Sequence, residues 1–331
     1  MTAPDAPVSF RKIALIYNPL SGSSRDRRIA LVKRIQKVFM LKTPIVELVS
    51  THSKGSAGNQ AMDMIADGYE AMIACGGDGT VHDIVQEMVR QKTPVPLGVI
   101  PMGTGNMLAT EIGMPPDPYI ASAALLDARL LRIAVGQVAY TPLEALPTEQ
   151  MQSVRYFVIG AGIGIDAKLM RITSSTMKER YGNAAYYAAM ARLLWRREFT
   201  PFLSHYATTN GDDHYTTSTQ MLAMRVRNMG ARMRHFAPGA SLRKNSFRCI
   251  IGNGKNPAGY LRYFLKAATG WDVSTPDFAA YDVADVHCTP LKDQDHIAYV
   301  QADGELLGRL PAEFHIMPEA LTLLVPAHGM L

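Results

Sequence analysis

Three short loops rich in glycine and polar residues carry the chemistry that can be read from this 331-residue sequence. They are Asn18-Pro19-Leu20-Ser21-Gly22, Gly76-Gly77-Asp78-Gly79-Thr80 and Gly103-Thr104-Gly105-Asn106. Glycine lacks Cβ, so its backbone can approach a ligand closely and take angles closed to other residues. Helices predicted to begin near Val81 and Met107 would aim their N-terminal amides at anionic oxygen. Both features suit a triphosphate. Asp78 is the unusual member, because a carboxylate beside phosphate is repulsive unless a cation lies between them. Magnesium takes few carboxylates plus phosphate oxygens and resolves that conflict, so Asp78 is expected to hold Mg²⁺ with a bound nucleotide. Each loop taken alone reads first as an ordinary turn between strand and helix. The GxGxxG and GxxxxGK[ST] patterns of dinucleotide and P-loop folds are absent, which disfavours a dehydrogenase or a P-loop ATPase.

The elements that must position these loops follow an α/β pattern. Ile13 to Tyr17, Ile45 to Ser50, Ala71 to Ala74 and Leu97 to Ile100 read as buried parallel strands. Val81, Ile84, Val85, Met88 and Val89 form one apolar helical stripe, and Ile29, Val32, Ile35 and Phe39 suggest another helix entered near Asp26. In an open α/β sheet, ligands settle at the carboxyl ends of the strands, where all three loops would gather. After Leu130 to Val138, alternating strands such as Tyr156 to Ile159 and Met221 to Val226 dominate, interrupted by helices at Asn183 to Arg197 and near Gly259 to Ala268. The expected organisation is an open α/β nucleotide-binding domain over residues 1–136, with 314–331 packing back on it, and a β-rich, sandwich-like domain over 137–313.

Bulk features set the class. The chain is 47% hydrophobic, enough for two cores, and its formal charge of +5 is a weak lean toward anionic partners. Cys75, Cys249 and Cys288 have no metal or disulfide spacing, which fits a reducing compartment. No uncharged run of about 18 residues is present, so a membrane span is not expected. Nucleic acid is disfavoured, since no helix-turn-helix, zinc-finger or aromatic RNP-type pattern accompanies the arginines.

Taken together, the strings Asn18-Pro19-Leu20-Ser21-Gly22, Gly76-Gly77-Asp78-Gly79-Thr80-Val81-His82-Asp83 and Pro101-Met102-Gly103-Thr104-Gly105-Asn106 resemble, in order and spacing, the diacylglycerol kinase catalytic family, which includes bacterial lipid kinases, sphingosine kinases and ceramide kinases. The likeness continues through Phe157 to Ala167, Ala237-Pro238-Gly239-Ala240 and Asp303-Gly304-Glu305, then Leu310-Pro311. The resemblance implies an ATP-dependent lipid kinase with catalysis in a cleft between two domains. It implies that Asn18 to Gly22, Thr51, Gly77 to Asp83 and Thr104 hold ATP. Glu305 would take the proton from the lipid hydroxyl, a role that some relatives give to the aspartate matching Asp78. Diacylglycerol leads as substrate, with ceramide or a sphingoid base behind it. An NAD kinase-like enzyme and a catalytically decayed lipid- or nucleotide-binding protein are the alternatives.

Two departures from the family stand out. Ala134 occupies a position where relatives often carry an aspartate near the nucleotide. After Ala240, relatives place Asp-Gly associated with a structural magnesium, whereas this chain has Arg243-Lys244-Asn245, so that metal is not expected here. Tyr186, Tyr187, Leu193, Leu194 and Trp195 beside Arg192, Arg196 and Arg197 suit a lipid interface or, equally, a packed helix with a basic edge. Arg225, Arg227, Arg232 and Arg234 could face anionic lipid or only water. The expected partners are ATP, a lipid substrate at a membrane surface and, compatibly, a second copy in a homodimer, with the protein cytoplasmic and peripherally membrane-associated.

Overall fold

The computed structural model describes residues 8–19, 24–53, 55–145, 153–172, 189–229, 236–254, 256–269, 275–292 and 296–327. The chain divides into two compact units, Met1–Ala134 with Pro318–Leu331, and Val135–Met317.

In the first unit, β1 (Lys12–Tyr17), β2 (Ile45–Ser50), β3 (Ala71–Gly76) and β4 (Leu97–Pro101) run parallel in the order β2-β1-β3-β4. The end of a long strand, Glu305–Val325, lies parallel beside β4, with Leu323 opposite Leu97. Every residue of β3 and β4 is buried. A strand covered on both faces needs continuous apolar side chains rather than alternation, which is what Ile13 to Tyr17 and Ala71 to Cys75 supply. Around the sheet lie α1 (Arg25–Phe39), α2 (Ser56–Ala66), α3 (Asp78–Arg90), α4 (Met107–Glu111) and α5 (Pro118–Ala124). The apolar stripe of α3 is buried as its spacing predicts. The helix starts at Asp78 rather than Val81, because Gly77 is its N-cap and accepts from the Thr80 and Val81 N–H groups.

The second unit is antiparallel. Its strands are β5 (Arg129–Pro142), which begins in the first unit, β6 (Ser153–Phe157), β7 (Gly160–Ile163), β8 (Phe202–Thr208), β9 (Asp213–Ser218), β10 (Gln220–Met224), β11 (Phe247–Gly252), β12 (Phe278–Pro290), β13 (Tyr299–Ala302) and β14 (Glu305–Val325). The order β14-β13-β7-β10-β11-β12 closes on itself, since β12 also pairs with β14, and β8 and β9 continue outward from β12. Phe157, Ile163, Met221, Phe247, Val283, Val300 and Phe314 fill the interior, with the Phe157 and Phe247 rings stacked at 5.5 Å. Among the described residues α6 (Ile165–Ile172) and α7 (Pro257–Thr269) decorate this unit, and residues 189–195 are also helical. The rest of the expected helix, residues 183–188 with Tyr186 and Tyr187, lies outside the described residues.

One sequence expectation is corrected here. Arg225 does not face lipid or water: it is wholly buried, and its guanidinium donates to the Leu242, Lys244 and Ser246 carbonyls at 2.9, 3.0 and 2.5 Å. The turn at 242–246 points its carbonyls inward, and a long cation with several donors satisfies them. Burial lowers the Arg225 pKa to about 10, which leaves it charged at neutral pH. Arg227 is exposed, and Arg232 and Arg234 lie outside the described residues.

The same turn bears on the structural metal. Lys244 Nζ lies 2.7 Å from Asp282 Oδ2, and Arg248 Nη1 lies 3.2 Å from Asp282 Oδ1. Two cationic side chains already neutralise this carboxylate, so the residues do not fit a divalent cation there.

Replacing Arg225 by Met leaves buried carbonyls without donors and is expected to lower stability by roughly 3 kcal/mol or more in urea unfolding; a change within error would rule out the clamp. Chelation of divalent cations is expected to leave the thermal midpoint of the nucleotide-free protein unchanged, and a fall of several degrees would contradict the Lys244 assignment.

Candidate active site

The described parts of the three loops lie at one edge because β1, β2, β3 and β4 are parallel. Asn18 and Pro19 follow β1, Thr51 follows β2, Gly77 follows β3, and Met102 to Asn106 follow β4. Leu20, Ser21 and Gly22 lie outside the described residues. Backbone bonds lace these strand ends together. Thr51 N donates to Tyr17 O at 2.8 Å, and Met102 N to Gly76 O at 2.9 Å.

The second and third loops meet backbone to backbone. A Cβ at Gly103 would sit 2.6 Å from the Gly77 Cα, so glycine is required for this approach. Asn106 adopts φ +49°, and its side chain closes the third loop on itself: Oδ1 accepts from Gly103 N at 3.0 Å and Nδ2 donates to Gly103 O at 2.7 Å. Asp78 joins the two loops. Its Oδ1 accepts from Met107 N at 2.8 Å, and a Cβ at Gly105 would sit 2.5 Å from its Oδ2. The carboxylate is thus cradled against bare backbone at the edge where Thr104 and Gly79 are exposed.

Other residues named from the sequence are placed differently. Val81 and His82 are buried on α3, so their side chains face the core. The Thr80 side chain packs against Gly76. Asp83 Oδ2 accepts from Gly55 N at 3.0 Å and fastens the turn before α2. Ala134 is buried in β5. Sequence reasoning missed Arg28 on α1, whose Nη2 donates to Met102 O at 3.2 Å and whose guanidinium burial draws below the ordinary arginine value. The cluster Arg25, Arg27 and Arg28 immediately after the first loop was the available signal.

In the second unit, Asp303 and Gly304 form the two-residue turn between β13 and β14, with φ +46° and +82° and with Ala302 opposite Glu305. Positive φ at both positions matches the right-handed twist of the strands, which is why Asp-Gly serves here. The Asp303 side chain reaches the bend between β6 and β7. Oδ2 accepts from Val158 N at 3.0 Å, and Oδ1 accepts from Ile159 N at 3.0 Å and Gly160 N at 2.9 Å. Asp303 N donates in turn to Gly160 O at 2.8 Å. Glu305, one residue beyond the turn, has Oε2 at 2.7 Å from Arg155 Nη2, and both side chains remain about a third exposed, 33% and 29%.

Chemically, the first unit offers a glycine-lined edge with the Asp78 carboxylate, suited to a metal-bound polyphosphate. The second offers a fixed, partly exposed carboxylate suited to accepting a proton.

Known proteins carry the same two parts in the same order. Residues 12–138 match the diacylglycerol kinase catalytic domain, and residues 159–325 match the YegS C-terminal NAD kinase beta sandwich-like domain. The chain is 24% identical to a diacylglycerol kinase of Staphylococcus epidermidis over 319 residues, covering 96% of this chain and 92% of that protein. It is 26% identical to a diacylglycerol kinase of Mycobacterium tuberculosis over 322 residues, covering 96% of each. The fold is shared with the crystal structure of a diacylglycerol kinase from Bacillus anthracis, with a TM-score of 0.69, 16% identity and coverage of 96% of this chain and 98% of that one. Since both halves are matched in sequence order and nearly end to end, the chain belongs to the diacylglycerol kinase catalytic family and is a lipid kinase.

Proposed function

We propose that the chain transfers the γ-phosphate of ATP to a hydroxyl group of a membrane lipid, with diacylglycerol as the leading acceptor. The observation that carries this reading is the Asp78 carboxylate set against Gly105 beside the Gly77–Gly103 contact. Bare backbone and one carboxylate on a parallel-sheet edge make a setting for Mg·ATP. The relatives' name supplies diacylglycerol.

The donor set fits a magnesium ion carried in with ATP, because one carboxylate at a glycine-lined edge leaves the remaining positions to phosphate oxygens and water. Asp78, Asn18 and the 103–106 loop would hold it with the phosphates, and Arg28 would add positive charge. When bound, the ion neutralises charge on the phosphate oxygens. Glu305 takes the proton of the lipid hydroxyl. That oxygen forms its bond to the γ-phosphorus, and the bond from phosphorus to the bridging oxygen breaks with its electron pair leaving on ADP. Arg155 holds Glu305 Oε2 and so fixes the rotamer that presents the carboxylate.

A lipid acceptor calls for a face that meets a bilayer. Among the described residues no helix is long and apolar enough to cross a membrane. Leu261 and Leu265, one turn apart on α7, are 56% and 58% exposed, and Trp195 is 88% exposed. Arg262 shares the exposed part of α7, and Arg192, Arg196 and Arg197 flank Trp195. Phe199 stacks on Tyr260 at 4.9 Å, tying the segment after Trp195 to α7. Apolar side chains among arginines suit the boundary between anionic headgroups and acyl chains.

The direct test offers labelled ATP with diacylglycerol, ceramide, sphingosine and NAD in turn, followed by mass spectrometry of the products. Phosphorylated diacylglycerol is expected, and phosphorylation of NAD alone would overturn the reading. Glu305→Gln is expected to cut turnover by about a hundredfold or more while ATP affinity holds. Asp78→Asn, which keeps the acceptor for Met107 N, is expected to weaken Mg·ATP binding as well as turnover. Wild-type turnover of the first or wild-type binding by the second would remove that residue from its role. In sedimentation with vesicles, replacing Trp195, Leu261 and Leu265 together by Ser is expected to release the protein from phosphatidylglycerol-containing membranes. Undiminished binding would refute the docking face.

A further inference from the structure

Behind the β13–β14 turn lies a chain of three side chains that take no part in the phosphoryl transfer itself. Gln301, the second residue from the turn on β13, accepts from Gly304 N through Oε1 at 3.2 Å and donates through Nε2 to Asp166 Oδ2 at 2.8 Å. Gln220, on β10, accepts from Ile165 N through Oε1 at 2.9 Å and donates through Nε2 to Asp166 Oδ1 at 2.6 Å. Both glutamines are buried, at 9% and 4% exposure.

The direction of every bond is fixed by the backbone. A peptide N–H can only donate, so each glutamine must turn its carbonyl oxygen to Gly304 or Ile165 and its NH₂ to Asp166. Asp166 therefore receives a donor on each oxygen. Burial pushes its pKa up, and the two amide donors oppose that shift. The carboxylate is the hub through which α6 and β10 hold the N–H of Gly304, whose neighbour is Glu305.

We propose that Gln301 and Asp166 are positioning residues for Glu305, locking the β13–β14 turn so that the carboxylate meets the acceptor hydroxyl in one geometry. The inference rests on the reading of Glu305 as proton acceptor. Asp303 ties the same turn to the β6–β7 bend, so the turn is held from two sides: Asp303 carries the bond to Gly160 O and the three from its carboxylate, and Gln301 carries the bond from the residue next to Glu305. Two independent tethers fix the turn from both sides, and a site built on a rigid element keeps its reacting atoms in register.

The test compares Gln301→Glu and Gln301→Met with the unmodified enzyme, using ATP and diacylglycerol in detergent micelles across roughly pH 6 to 8.5. Folding is checked by circular dichroism. Glutamate keeps the acceptor for Gly304 N but sets a second carboxylate against Asp166, and the pair regains its bridge only when it shares a proton. Among the described residues Tyr260 of α7 feels the Asp166 charge; burial first of all holds its pKa well above the ordinary value, so it stays neutral throughout this range. Turnover of Gln301→Glu is expected to lie about tenfold to a hundredfold below the unmodified enzyme at the alkaline end, and the ratio of the two is expected to recover as pH falls. Gln301→Met is expected to be slow at every pH with a flat ratio, and KM for ATP should not move in either variant. A merely structural role would lower the unfolding midpoint and leave turnover per folded molecule unchanged, and that outcome overturns the proposal. Where Gln301→Met fails to fold, Gln301→Asn, which keeps the amide one methylene short, gives the same readout. Glu305→Gln in the same assay separates the two ideas. Full turnover there sinks the reading of Glu305 itself, whereas lost turnover there with unimpaired Gln301 variants sinks the positioning role alone.

Discussion

Three consecutive backbone N–H groups, those of Val158, Ile159 and Gly160, point at one carboxylate, Asp303. The architecture of the second unit around Glu305 follows from that convergence. Between β6 and β7 the chain bends, and its amides leave the ladder; buried without acceptors, each would cost on the order of 1–3 kcal/mol. An ionised acceptor with two oxygens satisfies all three at once, and charge-assisted bonds of this kind are stronger than neutral ones. The bond works in both directions. The bend gains its acceptor, and the turn that carries Glu305 gains a fixed seat.

The two units solve their positioning problems by different means. In the first, the glycine-lined edge is built largely from backbone: Gly77 against Gly103, and the loop at 103–106 closed by Asn106. Phosphate oxygen accepts from any amide, so conformation matters more than side-chain identity, and glycine supplies conformation. In the second, side chains do the positioning, as the proposed role of Glu305 as proton acceptor would require, since that role needs one carboxylate in one place. Asp303, Arg155 and Gln301 each hold the turn or its glutamate through a directed bond. Asp78 sits between these styles, a side chain used to join two backbone loops.

The α/β class and the β-rich second half were legible in the sequence because the physics that fixes them is local. Ile13 to Tyr17 must be covered on both faces, and the stripe on α3 has a single side to bury. Helix α2 was not legible, since its buried face is Ala57, Gly58 and Ala61, too small to register as an apolar period. The start of α3 was read three residues late because Asp-Gly-Thr looks like turn chemistry, while the first turn of a helix capped by Gly77 tolerates the same residues. The loops around Asp78 could be named from their residue types, but the Gly77–Gly103 contact could not, because it depends on the register of β3 against β4. The bonds of Asp166 to Gln220 and Gln301 span 54 and 135 residues, and no local pattern marks them. Arg225 was misread for the complementary reason. Arginines alternating along a strand look solvated, and only the inward carbonyls of the 242–246 turn show why one of them is buried.

Those arginines also change what the net charge means. A formal +5 spread over the surface would be a diffuse attraction for any polyanion, screened within about 10 Å at ordinary ionic strength. Here several cations are committed inside the protein: Arg225 to carbonyls, Lys244 and Arg248 to Asp282, Arg155 to Glu305 and Lys168 to Glu198. A cation already seated on a protein acceptor contributes little to the field felt by an approaching partner. Exposed cations remain elsewhere on the chain, and Arg262 beside Leu261 and Leu265 on α7 sets one of them against exposed apolar groups.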